Sequence, residues 1–326
     1  MPVRATSLPD FVDDLGGGVF AIDTGFQRPR FDAAYLVVHN GRAAFIDTGT
    51  NHAVPRHLAT LAALGIAREA VDWVVPTHVH LDHAGGAGLL MRELPSATML
   101  VHPRGARHMI DPTALYEGAL TVYGAAEMER SYGLLVAVDE ARVRLSHDGM
   151  DLVLGGDRKL HLIDTPGHAR HHHCLWDEST RGWFSGDTFG SSYREFDTAR
   201  GAWMFPNSVP VQFDPPAMRA SVQRLLSFQP DCMYVTHYSR LTDVPLMADR
   251  VLSLLDSMVE LAQCLGDAND RHATLKRELT TLYASSLVEH GVDRVPDKLA
   301  LLAMDIELNA QGMGVWLDRE AKAKTQ

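Results

Sequence analysis

Residues 77–86 read Thr77-His78-Val79-His80-Leu81-Asp82-His83-Ala84-Gly85-Gly86, directly after the apolar run Val71–Val75. Four side chains able to ligate a metal, His78, His80, Asp82 and His83, fall within six positions. Imidazoles and a carboxylate crowded on one turn are costly unless a cation draws them together, and nitrogen and oxygen donors of this kind suit a divalent ion. On an extended segment, residues two apart point the same way, so His78 and His80 face one ion. Asp82 and His83 belong to the turn that follows, where the chain reverses toward a second. One loop can feed two metals.

This string is similar to the His-x-His-x-Asp-His motif of the metallo-β-lactamase-fold hydrolases, and the chain resembles that superfamily, in particular its glyoxalase II-like branch. Further motifs follow at strand-like ends: Asp47 closes Ala44-Phe45-Ile46-Asp47, His168 follows Thr165-Pro166-Gly167, Asp187 closes Trp183-Phe184-Ser185-Gly186-Asp187, and His237 ends Met233-Tyr234-Val235-Thr236-His237. The resemblance implies that His78, His80 and His168 hold one metal, that Asp82, His83 and His237 hold the other, and that Asp187 bridges them. Asp47 would orient a ligand from behind rather than bind metal. The implied cofactors are two divalent metal ions, zinc first, with iron or manganese allowed by a donor set that lacks thiolate. The implied fold class is α/β: an αβ/βα sandwich of two mixed β-sheets flanked by helices, with a helical insertion and a helical C-terminal extension.

The elements that must position these residues are legible in outline. Strands are expected at Gly18–Thr24, Ala34–His39 and Arg42–Asp47, the last two joined by the hairpin dipeptide Asn40-Gly41. Helices are expected from about His52 to Leu64 and from Ala87 to Leu94, with a strand at Ala97–His102. Residues 103–142 carry helical patterning interrupted by Gly118, Gly124 and Gly133, and because they lie between two ligand motifs they are expected to cover the site mouth. Lys159–Ile163, Cys174–Asp177 and Gly182–Ser185 read as strands, and Pro216–Phe228 as a helix. From Asp243, an expected N-cap with Pro245 in the first turn, the chain reads as helix after helix, including about Arg271–Glu289, Asp297–Asn309 and Gly314–Lys322. The expected organisation is a catalytic domain over 1–241 and a helical extension, 242–326, packed on it.

Composition narrows the setting. The 326 residues carry a formal charge of −11 and no cluster of Lys and Arg, which argues against nucleic acid as partner. Three widely spaced cysteines, Cys174, Cys232 and Cys264, suit reduced thiols better than a disulfide framework. The stretch Met1–Asp14 has no apolar core of a secretory signal, and no apolar run approaches the roughly 20 residues that span a bilayer. The expectation is a cytoplasmic protein acting on a small molecule, away from membranes, with a homo-oligomer left open.

The implied chemistry is metal-dependent hydrolysis, in which a hydroxide bridging two ions attacks an ester-like bond and Asp82 and Asp187 orient it. Asp187 resembles the bridging carboxylate of glyoxalase II and the lactonases, which true β-lactamases lack, and His80 stands where flavodiiron proteins carry Glu. Gly190 occupies the place of a tyrosine in quorum-quenching lactonases, and the basic glutathione-binding residues of glyoxalase II are not recognisable. A thioester of the hydroxyacylglutathione type is the expected substrate. The alternatives are a lactonase or phosphodiesterase of the same fold, a mononuclear iron enzyme of the persulfide dioxygenase type using His78, His168 and Asp187, and a protein that binds metal without turnover. Tyr193, Tyr238 and His172 are the candidate substrate contacts, the tyrosines as donors to an oxyanion.

Overall fold

The computed structural model describes residues 7–209, 211–265 and 270–324, so the first six residues of the stretch read for a secretory signal lie outside the described residues. The chain forms two compact units. The first comprises Met1–Asp164, His171–Gly186 and Cys232–Arg240, and the second Thr165–Arg170, Asp187–Asp231 and Leu241–Gln326.

The first unit is built on two mixed sheets. One runs in the order β1 (Val12–Asp14), β2 (Val19–Asp23), β3 (Ala33–His39), β4 (Arg42–Ile46), β5 (Val71–Val75), β6 (Thr98–Val101) and β7 (Val143–Leu145). Its first four strands are antiparallel and the remaining pairings parallel. Asn40 and Gly41, both at positive φ (47° and 74°), make the tight β3–β4 turn that the dipeptide favours. The other sheet has the order β13 (Ser239–Leu241), β12 (Cys232–Val235), β11 (Gly182–Gly186), β10 (His173–Asp177), β9 (Arg158–Asp164) and β8 (Met150–Leu154), with β11 and β12 parallel.

Inward side chains of both sheets form one core. Tyr35, Val37 and Ile46 from the first sheet meet Leu160, Leu162, Leu175 and Phe184 from the second. The Tyr35 ring stands edge-on to Phe184 at 5.3 Å, and Phe184 stacks on Tyr234 at 4.7 Å. The opposite face of the first sheet packs on helices: α1 (Val54–Leu64) through Val54 and Leu61, α3 (Ala87–Glu93) through Leu90 and Met91, and α4 (Pro103–Ile110) through Met109, with the one-turn α2 (Leu81–Ala84) between. Parallel strands need such crossovers, which is why helices alternate with β4, β5 and β6. The segment after α4 is helical as expected, with α5 (Thr113–Tyr123), α6 (Ala125–Glu127) and a π-turn at Met128–Tyr132.

The second unit contains α7 (Pro215–Leu226), α8 (Val244–Leu265), α9 (Arg271–His290), α10 (Val295–Leu299) and α11 (Ala303–Lys324). Asp214 caps α7 by accepting the Ala217 N–H at 3.1 Å, with Pro215 at the first helical position. The two helices expected over 297–322 are instead α10, a 3-10 turn at Ala300–Leu302 and one long helix, α11, that runs through the expected break at 310–313. Among the described residues no helix is long and apolar enough to cross a membrane.

Two fully buried histidines of the first unit set a stability expectation. His57 donates to the Thr48 carbonyl at 2.7 Å, and burial lowers its pKa from 6.5 to about 4. His173 lies 2.9 Å from the Pro76 carbonyl and 2.9 Å from Ser146 Oγ, and burial lowers its pKa to about 3. Because both values fall below that of an unfolded histidine, the unfolded chain binds more protons, so this contribution is complete above about pH 6.5 and declines as pH falls toward 4 and then 3. We predict a loss on the order of 2 kcal/mol per histidine between pH 7 and pH 5 in denaturant titrations. His57→Gln, which keeps a donor for Thr48, should flatten that pH dependence, and an unchanged slope would refute the assignment.

Candidate metal centre

Strands β4 and β5 are parallel neighbours with Ile46 opposite Val75, so the segments after them leave the sheet side by side. Asp47 adopts a left-handed φ of 55°, and its N–H meets the Val75 carbonyl at 3.0 Å. Its buried carboxylate accepts from the Thr77 N–H (2.7 Å), the Thr77 hydroxyl (2.9 Å), the Thr236 hydroxyl (2.9 Å) and His83 Nδ1 (2.9 Å). Helix α2 then carries Asp82 and His83 on a single turn, closed by the Ala84 N–H to the His80 carbonyl at 2.8 Å.

Within the first unit five of the sequence-identified ligands converge. Donor atoms of Asp82, His83 and His237 all lie within 4.8 Å of one another. Asp82 Oδ2 is 3.7 Å from His83 Nε2 and 3.4 Å from His237 Nε2. His78 Nε2 and His80 Nδ1 are 2.9 Å apart, and the His78 ring lies 4.0 Å from that of His83. His78, His83 and His237 are buried, while His80 and Asp82 are half-buried, so the cluster has one accessible side. His172 stacks on His78 at 4.9 Å, which makes it a neighbour of a ligand.

The donor set fits a divalent cation by a specific feature. His83 Nδ1–H is held by the Asp47 carboxylate and His237 Nδ1–H by the Phe31 carbonyl at 3.1 Å. Each ring is thereby fixed as the tautomer whose Nε2 lone pair points at the Asp82 cluster, which is how metal-binding histidines are oriented.

The second unit carries the remaining pair. His168 Nδ1–H donates to the Asn207 carbonyl at 3.1 Å, leaving Nε2 3.5 Å from Asp187 Oδ2. Gly167, with φ of 137°, lets this loop press on α7, for a Cβ there would lie 2.2 Å from Met218 Cα. The Asn207 side chain bonds Ser191 Oγ at 2.7 Å, and Asn309 of α11 accepts from Ser208 N at 2.7 Å and donates to the Pro206 carbonyl at 3.2 Å. Residues 206–208, which hold His168, are thus fixed from both sides.

The candidate substrate tyrosines have other partners. The Tyr193 hydroxyl donates to Asp305 at 2.7 Å in the second unit, and the Tyr238 hydroxyl to Asp13 at 3.3 Å in the first. Both rings are fully buried. Sequence reasoning missed Asp32, which is buried with Thr24 Oγ1 donating to it at 3.0 Å. Burial pushes Asp32 up to about 8, opposed by the nearby imidazoles of His237 and His83 and reinforced by Asp82. It also missed Thr77 and Thr236, although a signal existed: both precede a ligand in the repeated dipeptide Thr-His.

Replacing Asp47 by Asn should free the His83 ring to rotate. We predict that Asp47→Asn weakens metal binding about 10- to 100-fold in a competitive chelator titration. Equal affinity in wild type and variant, at unchanged thermal stability, would show that Asp47 does not orient the ligand.

Comparison with known proteins agrees with this geometry. The model of the metallo-beta-lactamase superfamily matches residues 27–237. The human acyl-coenzyme A thioesterase MBLAC2 is 30% identical over 192 residues, spanning 53% of this chain and 64% of that protein, which is less than two thirds of its length. Hydroxyacylglutathione hydrolase of Klebsiella pneumoniae is 29% identical over half of each chain. The crystal structure of a metallo-beta-lactamase family protein from Thermus thermophilus, TTHA1429, superposes with a TM-score of 0.65 at 19% identity, covering 94% of this chain and 95% of its own. With its two mixed sheets, its helical segments and its His/Asp clusters, the chain belongs to the metallo-beta-lactamase superfamily.

Proposed function

We propose that the protein is a dinuclear metal-dependent hydrolase whose substrate is an acyl thioester. The observation that carries the metal-dependent part is the paired anchoring of His83 and His237, each held through Nδ1 with Nε2 turned to Asp82. In this reading, which follows the family resemblance, His78, His80 and His168 would hold one ion and Asp82, His83 and His237 the other, with Asp187 as the shared carboxylate. The chain itself supports the inclusion of Asp187: it is bonded to Gly186, whose partner in the sheet is Val235, two residues before His237. Zinc is the ion proposed, since the set is nitrogen and carboxylate oxygen without thiolate, and iron or manganese satisfy the same donors.

Two divalent cations in these positions would supply a water acidified to near neutrality and an electrophilic face for the carbonyl oxygen. The residues do the rest. Asp82 and Asp187 would accept hydrogen bonds from the attacking water and orient it. Asp47 keeps His83 from turning, and the Asn207 carbonyl does the same for His168. No serine or cysteine nucleophile is required. Acyl transfer to water from a thiol carrier is supported by two relatives, whose names specify an acyl-coenzyme A thioesterase and a hydroxyacylglutathione hydrolase, for coenzyme A and glutathione are both thiols.

Metal analysis with a substrate panel tests this. Saturating titration should reach two equivalents per chain, Asp187→Asn should weaken both, and His237→Ala mainly one. Acyl thioesters should be turned over faster than lactones or phosphodiesters by at least about tenfold in kcat/KM. A single equivalent of iron with oxygen uptake, or preference for a phosphodiester, would replace this reading.

A further inference from the structure

Within the second unit, α8, α9 and the segment 200–204 enclose a cavity of about 410 Å³ that no role above uses. Trp203, Met204 and Leu254, all buried, give it an apolar wall. Arg200 and Arg250 line it as well. Arg250 donates to the Ala202 carbonyl at 2.6 Å and to the Arg200 carbonyl at 2.8 Å, and Arg200 donates to the Glu289 carbonyl at 2.8 Å. The two guanidiniums thereby clamp the segment to α8 and to the end of α9.

The clamp uses only part of what the arginines offer. A guanidinium carries five N–H donors, of which Arg250 commits two and Arg200 one. Among the described residues neither arginine is ion-paired with a carboxylate. Burial lowers the pKa of Arg250, and the neighbouring charge of Arg200 lowers it further. His290, buried on the same cavity with the Gly201 carbonyl 3.0 Å from Nε2, is lowered by burial first and then by both arginines. Like charges held together without a counter-ion are costly, and an anion between them removes that cost. Two acids also line the cavity, Asp249 and Glu289, but both are exposed and pair with neither arginine, so solvent screens them.

We infer that this cavity binds a small organic phosphate, the phosphate on Arg200 and Arg250 and the organic part on the apolar wall. Planar guanidinium forks match phosphate oxygens, and two of them favour a doubly charged group over a single carboxylate. The volume lies in the range of roughly 300–1,000 Å³ usual for small-molecule sites, more than a bare ion fills. A free phosphate ion shares the charge but leaves the apolar wall without a partner. The site is independent of the proposed hydrolysis, and its test needs no turnover.

The test is calorimetry and amide hydrogen exchange on the full, metal-loaded chain, with phenylphosphonate as a phosphate-ester mimic that cannot be hydrolysed, and with inorganic phosphate beside it. Phenylphosphonate should bind more tightly than inorganic phosphate and slow exchange within 200–204. Ser253, an exposed residue on the cavity, makes no bond to the clamp, so Ser253→Glu adds a competing carboxylate and leaves the clamp intact. That variant should weaken phenylphosphonate about tenfold or more and remove the slowing at 200–204, whereas Ser253→Gln, of equal length, should keep both. Arg200→Gln and Arg250→Gln should each lose about tenfold or more, and if either fails to fold the Ser253 pair still decides. Ligand held at the metal centre instead would ignore Ser253→Glu and leave exchange at 200–204 unchanged, which would overturn the site. Inorganic phosphate bound as tightly as phenylphosphonate would overturn the organic ligand.

Discussion

The candidate ligand cluster of the first unit depends on one buried carboxylate. Asp47 is 1% exposed, and an isolated charge at that depth is expensive, so its four donors are a structural requirement rather than an addition. Those donors belong to the segments after β5 and β12, while Asp47 itself follows β4. Thr77 fixes the start of the His-rich loop, Thr236 is the residue before His237, and His83 is itself a candidate ligand. Satisfying one anion thus sets the relative positions of three loops. The left-handed turn at Asp47 is the local consequence: a short acidic residue tolerates that conformation, and there it turns the carboxylate back under the loops.

The candidate ligands were readable in the chain because the His-x-His-x-Asp-His string is contiguous and the other candidates end short apolar strands or follow them. What was not readable is of a different kind. β7 and β8 were missed, and in β8 the exposed Val153 between buried Leu152 and Leu154 gives an unbroken apolar run, so the alternation is in burial and not in residue type. The break expected before Gly314 was wrong for a physical reason. Gly312 sits inside α11 because a Cβ would lie 1.3 Å from the Ser208 carbonyl oxygen, so the glycine serves close packing of helix on loop and not helix termination.

That close approach explains what the C-terminal helices contribute within the second unit. Gly312 lets α11 reach the backbone at Ser208, and Asn309, three residues earlier on the same helix, then ties Ser208 and Pro206. Between these two anchors lies Asn207, the acceptor for His168. The Asn309 amide also donates to Tyr283 of α9 at 2.8 Å, so two helices share the same polar hub. Partners separated by about a hundred positions leave no periodicity or spacing to detect, which is why only the three-dimensional structure reveals a C-terminal helix supporting the loop that holds His168.

The same principle separates histidines that the sequence presents alike. His171, His172 and His173 form one run, yet His173 has a protein oxygen at each ring nitrogen and so has no lone pair to offer. His83 and His237 are held at Nδ1 and face a carboxylate at Nε2. What separates His83 and His237 from His173 is that their Nε2 atoms turn to the Asp82 cluster, whereas both ring nitrogens of His173 are bound within the core. Asp47, the Phe31 carbonyl and the Asn207 carbonyl each hold the Nδ1 of one candidate ligand, His83, His237 and His168, and so set the direction of its ring.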